Sequence, residues 1–170
     1  VEMLNTYFER ACAAMLAEGG SIDKFIGDAI MVEFGSPLPV ADHALRGVRA
    51  AVALRAVAEE FAGWMEQRFP GRGLPKFAVG IGLHSGEAVI GNIGSSARME
   101  FTAIGDTVNL ASRLEGMTKQ LGCAILASEA TVVGAGGRVV CGRSEVVTVK
   151  GRAASVRVFE VLGLKDGGAE

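Results

Sequence analysis

Cysteine is scarce in this sequence of 170 residues: Cys12, Cys123 and Cys141 are few, odd in number and far apart. Such a set builds neither a disulfide framework nor a Cys-x-x-Cys metal site, so reduced, partly buried thiols of a cytoplasmic protein are expected. Long hydrophobic runs are missing too. Arg, Glu or Gly interrupts each apolar stretch before the roughly 18 residues that a membrane-spanning helix needs, so no membrane contact by this segment is expected. Positive charge is not in surplus: 17 Lys and Arg face 19 Asp and Glu, a net charge of -2. That leaves no basic surface to release counterions from nucleic acid, and aromatics at 6% give an RNA-binding sheet no stacking platform. Neither the phosphate-cradling GxxxxGKS/T loop nor GxGxxG occurs, which removes the support for kinase and dinucleotide-binding readings.

What is present is material for a core. Hydrophobic residues at 49% and charged residues at 21% describe a folded chain of about one domain. Leu4, Phe8, Cys12 and Met15 recur at helical spacing over residues 3–17, before Gly19 and Gly20. Because a helix begins so near Val1, the chain is expected to start inside a longer polypeptide. Ser21 to Gly35 reads as a β-hairpin turning at Gly27 and Asp28. Asp42 can cap a helix of about 25 residues whose apolar face runs from Leu45 to Met65. Phe77 to Ile93 reads as a second hairpin pivoting on His84, Ser85 and Gly86, with glycines that suggest close backbone approach. Phe101 to Ile104 reads as a short strand. Gly105 and Asp106 then open a helix carried by Val108, Leu110, Leu114, Met117 and Leu121 and closed by Gly122. From Ala124 onward short strands with Gly-rich turns are expected, ending at Leu162, with residues 163–170 as a flexible tail. This order predicts one α+β domain over 1–162, a ferredoxin-like, antiparallel-rich sheet with helices packed on one face, if a first strand precedes Val1.

Several side chains invite a chemical reading beside an ordinary one. Asp28 at a tight turn can ligate a hard cation such as Mg²⁺, although Asp beside Gly is most often only a turn former. Strand alternation gives Lys24 the face of Ile22, Ile26 and Asp28; it is either a donor in a nucleotide pocket or a guard against edge pairing. Asn109 and Arg113, four apart, project from one helix face, as a donor pair for sugar and phosphate or as a solvated surface. Asp106 reads as an N-cap. Lys150 follows an apolar strand and could reach a phosphate. His84 reads as structural, since no nucleophile accompanies it.

Together, DKFIGDAIM at 23–31, VGIGLHSGEAVIGNIG at 79–94, FTAIGDTVNLASRLE at 101–115 and VKG at 149–151 closely resemble the class III nucleotidyl cyclase catalytic domain, in order and over nearly the whole chain. The resemblance implies conversion of ATP or GTP to a 3′,5′-cyclic monophosphate and pyrophosphate at a homodimer interface, with two Mg²⁺ or Mn²⁺ ions per site. It implies that Asp28 is a metal ligand, and that Lys24 and Thr102 read the base as an ammonium donor and a hydroxyl acceptor suited to adenine. It further implies that Asn109 orients the ribose, Arg113 stabilises charge at the phosphates and Lys150 binds the triphosphate. Thr102 in the base-reading position is similar to a subgroup that includes bicarbonate-responsive cyclases. The family's first metal aspartate lies on a strand about 45 residues before the position of Asp28, so one ligand is expected to be missing here, leaving Ile22–Ile26 and Phe77–Leu83 with unpaired edges or exposed apolar surface. Two other readings remain open: a guanylate cyclase, and a non-catalytic nucleotide-sensing or dimerisation module.

Overall fold

A computed structural model describes residues 1–148 and 154–165. Helix α1 (Glu2–Ala17) leads into a hairpin of β1 (Ser21–Ile26) and β2 (Ala29–Glu33), then helix α2 (His43–Arg68) and strand β3 (Ile81–Leu83). There follow β4 (Val89–Ser95), β5 (Arg98–Ile104), α3 (Asp106–Leu121), β6 (Ile125–Ser128), α4 (Glu129–Gly134), β7 (Val139–Thr148) and β8 (Ser155–Leu164). The expected α+β class is present. A four-stranded sheet in the order β3-β6-β8-β7 is flanked by the separate pairs β1-β2 and β4-β5.

Alternation along β6 fixes the layers. Ile125 and Ala127 pack with Val48 and Ala51 of α2, whereas Leu126 between them packs with Leu110 and Leu114 of α3. β6 is buried on both faces, with α2 on one and α3 on the other, so the helices do not share the single face expected, because β6 alternates apolar residues toward both layers. β3 repeats the pattern: Ile81 and Leu83 join the α2 side. A Cβ built on Gly82 would lie 2.3 Å from both the Ala111 carbonyl oxygen and the Glu115 amide nitrogen of α3. Gly82 therefore does serve close approach. A second cluster holds α1 against α2 and the first hairpin, with Tyr7, Phe61 and Phe77 ring to ring at 4.7–5.6 Å.

Three readings are corrected. The pivot at His84 is not a hairpin turn: β3 pairs in parallel with β6, and parallel pairing needs a long crossover. The second hairpin is β4–β5, turning at Ser96 and Ala97. The region after Ala124 also contains helix α4, and the strand expected to end at Leu162 continues through Gly163 and Leu164, opposite Val140 and Val139. Among the described residues β3 has a partner on one side only, and Phe25 and Ile26 at the end of β1 are 50% and 59% exposed. No helix among the described residues is long and apolar enough to cross a membrane.

Candidate active site

A β-bulge places the first site residues. Ile22 lies opposite Val32, but Lys24 lies opposite Met31, so Asp23 is an extra residue in β1. The insertion lets Ile22 and Phe25, three apart, both face the core, where Ile22 joins the Tyr7 and Phe61 cluster and Phe25 meets Phe8 at 4.6 Å. The common face expected for Ile22, Lys24, Ile26 and Asp28 is thus broken. Lys24 and Ile26 face away from Ile22, and Asp28 sits exposed in the turn.

Asp23 points inward, its side chain 1% exposed, between β1 and β5. It accepts a hydrogen bond from Thr102 Oγ1, 2.9 Å from each carboxylate oxygen, and one from the Ala103 amide at 3.2 Å. Lys24 Nζ stands 3.8 Å from Asp23 Oδ1 and 3.3 Å from Glu100 Oε2. One carboxylate therefore gathers both expected base readers, Lys24 and Thr102. Burial pushes the Asp23 carboxyl up, but hydrogen bonds from Glu33, Thr102 and Ala103, with the Lys24 charge, outweigh it and hold the group below the usual carboxylate range. Glu33 at the end of β2 moves the other way: burial, then its hydrogen bond to Asp23 and the charge there, push it up to about 7. Its Oε1 is buried with no hydrogen-bond partner among the described residues. The shared proton of the pair therefore rests on Glu33. Sequence reasoning missed Asp23, Glu33 and Glu100, because regular alternation turns Asp23 away from Lys24 and only the bulge makes the two neighbours in space.

The remaining candidates lie elsewhere. On α3, Leu110 and Leu114 are buried while Asn109 and Arg113 share the exposed side, as their spacing predicts. Arg113 Nη2 donates to the Thr148 carbonyl at 3.5 Å, and among the described residues no hydrogen bond or ion pair joins it or Asn109 to Lys24, Thr102 or Asp28. Lys150 lies outside the described residues. Asp106 is not the N-cap. Gly105 holds that position at φ 126°, and Asp106 is the first helical residue, where its charge suits the helix dipole. His84 Nδ1 is 2.7 Å from Ser128 Oγ, tying the loop after β3 to the start of α4. All three cysteines are free and partly buried.

Asp28 offers one hard oxygen ligand of the kind a divalent cation takes, and with burial its charge helps push Tyr7 up to about 12. No group of three or more His, Cys, Asp or Glu that could hold a metal exists among the described residues. The residues at hand do not compose a two-cation centre by themselves.

The profile of the adenylate and guanylate cyclase catalytic domain matches residues 1–161. Adenylate cyclase 1 of Rhizobium meliloti is 37% identical over 164 residues, covering 96% of this chain and 24% of that protein. The chain therefore spans about a quarter of the length of this relative. Among solved structures, the guanylyl cyclase Cya2 superposes with a TM-score of 0.87 at 34% identity, covering 98% of this chain and 82% of the other. The adenylyl cyclase CyaB from P. aeruginosa gives 0.82 at 30% identity, covering 99% and 84%.

Proposed function

The chain belongs to the adenylate and guanylate cyclase catalytic-domain family, and from that premise we propose that it is the catalytic domain of an adenylate cyclase working as a homodimer in the cytoplasm. In the reaction the ribose 3′-oxygen bonds to the α-phosphorus, its proton departs, and the bond from that phosphorus to the bridging oxygen breaks to release pyrophosphate. Where a divalent cation, Mg²⁺ or Mn²⁺, is bound, Asp28 would hold it through a carboxylate oxygen, and its charge would neutralise the triphosphate and ease loss of the 3′-hydroxyl proton. Asn109 orients the ribose, Arg113 meets charge developing on the phosphates and Lys150 holds the triphosphate.

The observation that carries the choice of ATP is the joint placement of Lys24 and Thr102 around Asp23. An ammonium can donate to a ring nitrogen of adenine, and a hydroxyl can accept from its amino group. Two observations support a site completed by a second copy. Among the described residues no hydrogen bond or ion pair joins Asn109 or Arg113 to the Lys24 cluster, and Val89, Met99, Phe101 and Ile104 leave apolar surface exposed along the β4–β5 hairpin. Mixing Asp28→Ala with Asn109→Ala protomers of the polypeptide that carries this domain tests the arrangement. Each variant alone is inactive, and random pairing restores about a quarter of normal turnover through one intact site per mixed dimer. Absence of recovery would count against shared sites. The similarity to Cya2 favours a second reading, a guanylate cyclase; Lys24→Glu with Thr102→Cys then leaves the base preference where it was, instead of moving it from ATP to GTP. Bicarbonate stimulation is proposed from Thr102 and is read as the rate with and without bicarbonate at fixed pH.

A further inference from the structure

We propose that Asp23 is a specificity-determining positioning residue, which commits the hydroxyl hydrogen of Thr102 inward and so presents only lone pairs of that oxygen to the nucleotide base. The inference rests on the reading of Lys24 and Thr102 as the base site and extends it to a residue that does not touch the base. A threonine hydroxyl has one hydrogen and two lone pairs, so by itself it can donate to the carbonyl of guanine as readily as it accepts from the amino group of adenine. Here its surroundings remove that freedom. Thr102 Oγ1 lies 2.9 Å from both Asp23 oxygens, and among the described residues its other hydrogen-bonding neighbour is the Ala103 carbonyl at 3.4 Å. All are acceptors, so the hydrogen must point at them, and the shorter, charge-assisted bond to Asp23 takes it.

The carboxylate is kept in that acceptor state by its own setting. The Ala103 amide donates to it at 3.2 Å and Lys24 Nζ is 3.8 Å away. Glu33 carries the proton the two acids share. The Asp23 side chain is 1% exposed and residue 102 is 5% exposed, so the pair is held largely out of solvent. An incoming amino group finds an acceptor at Thr102, whereas an incoming purine carbonyl finds oxygen facing oxygen with no hydrogen between, an unpaired contact that discriminates strongly.

Asp23→Asn in the active polypeptide is the test, read as the ratio of kcat/KM for ATP to that for GTP. The carboxamide keeps the shape but can donate to Thr102 Oγ1, which frees the hydroxyl hydrogen to turn toward the base. The ratio should fall about tenfold, with GTP turnover rising as ATP turnover declines. In a Thr102→Val background the same substitution should leave the ratio unchanged. Equal loss for both nucleotides, or an identical shift in the Val background, would overturn the proposal. If Asp23→Asn does not fold, Thr102→Ser and Thr102→Val decide with Asp23 intact. Ser still gives its hydrogen to Asp23 and keeps the ratio, Val lowers it about tenfold, and equal ratios would overturn the assignment. Lys24→Ala separates the two levels: an unchanged ratio there removes the base site itself and this proposal with it, whereas a changed ratio beside a neutral Asp23→Asn overturns only the role of Asp23.

Discussion

Replacing Gly82 by alanine is the sharpest test of how α3 is positioned. The new methyl carbon would lie 2.3 Å from the Ala111 oxygen and the Glu115 nitrogen and 3.0 Å from Glu115 Cα. These are backbone atoms of a regular helix, so no side-chain rotation relieves them, and α3 must withdraw from β3 by about 1 Å to restore ordinary contact near 3.5 Å. Withdrawal loosens the packing of Leu110 and Leu114, which are 1% and 0% exposed against Leu126 and Val158. Overpacking of this kind costs about 3 kcal/mol, or ~6–12 °C in melting temperature for a chain of this length. The control is Gly116→Ala on the same helix, where a Cβ meets nothing within 4 Å; it should stabilise by about 0.5–1 kcal/mol by removing a helix glycine. Thermal melts of the two variants beside the parent read the difference. If Gly82→Ala melted within a degree or two of the parent, the close approach of β3 and α3, and with it the placement of Asn109 and Arg113, would be refuted.

Other consequences are as direct. Glu33 holds its proton to about pH 7 when folded but loses it near 4.5 when unfolded, so the folded state binds more protons between those values and stability falls as pH rises through them. Glu33→Gln should match the parent in melts at pH 4.5 and exceed it by ~1 kcal/mol at pH 8, after allowance for the solvent that reaches a half-buried group; a constant difference across that range would contradict the assignment. Leu114→Ala should cost about 2–5 kcal/mol in denaturant unfolding, as a fully enclosed side chain between α3 and β6 leaves a cavity. Glu100→Gln removes the partner of Lys24 at 3.3 Å, with the two side chains 50% and 33% exposed. Stability should change by less than ~1 kcal/mol, while the KM for ATP falls because one of the two carboxylate charges beside the ammonium is gone.

Much of this molecule was legible in its sequence where a local pattern meets a local cause. The apolar spacing of α1 and α2, the turn at Gly27 and Asp28, and the stop at Gly122, which adopts φ 65°, all follow from neighbours in the chain. The pairing of β3 with β6 did not, because a parallel partner about forty residues away leaves no trace in a window of ten. Nor did the bulge at Asp23: an inserted residue looks like any other until the partner strand shows the slip of register. The candidate site divides in the same way. Asn109 and Arg113 follow from helix spacing, whereas the carboxylate that joins Lys24 to Thr102 depends on β5 lying against β1, a contact that residues 79 positions apart make only in the fold.

The most direct test of the central claim is cyclic-nucleotide production from ATP and from GTP, each with Mn²⁺, by the purified polypeptide that carries this domain. It should make cyclic AMP and pyrophosphate in equal amounts and prefer ATP to GTP. Preference for GTP would contradict the assignment of Lys24 and Thr102, and tight binding of ATP without turnover would contradict the cyclase activity itself.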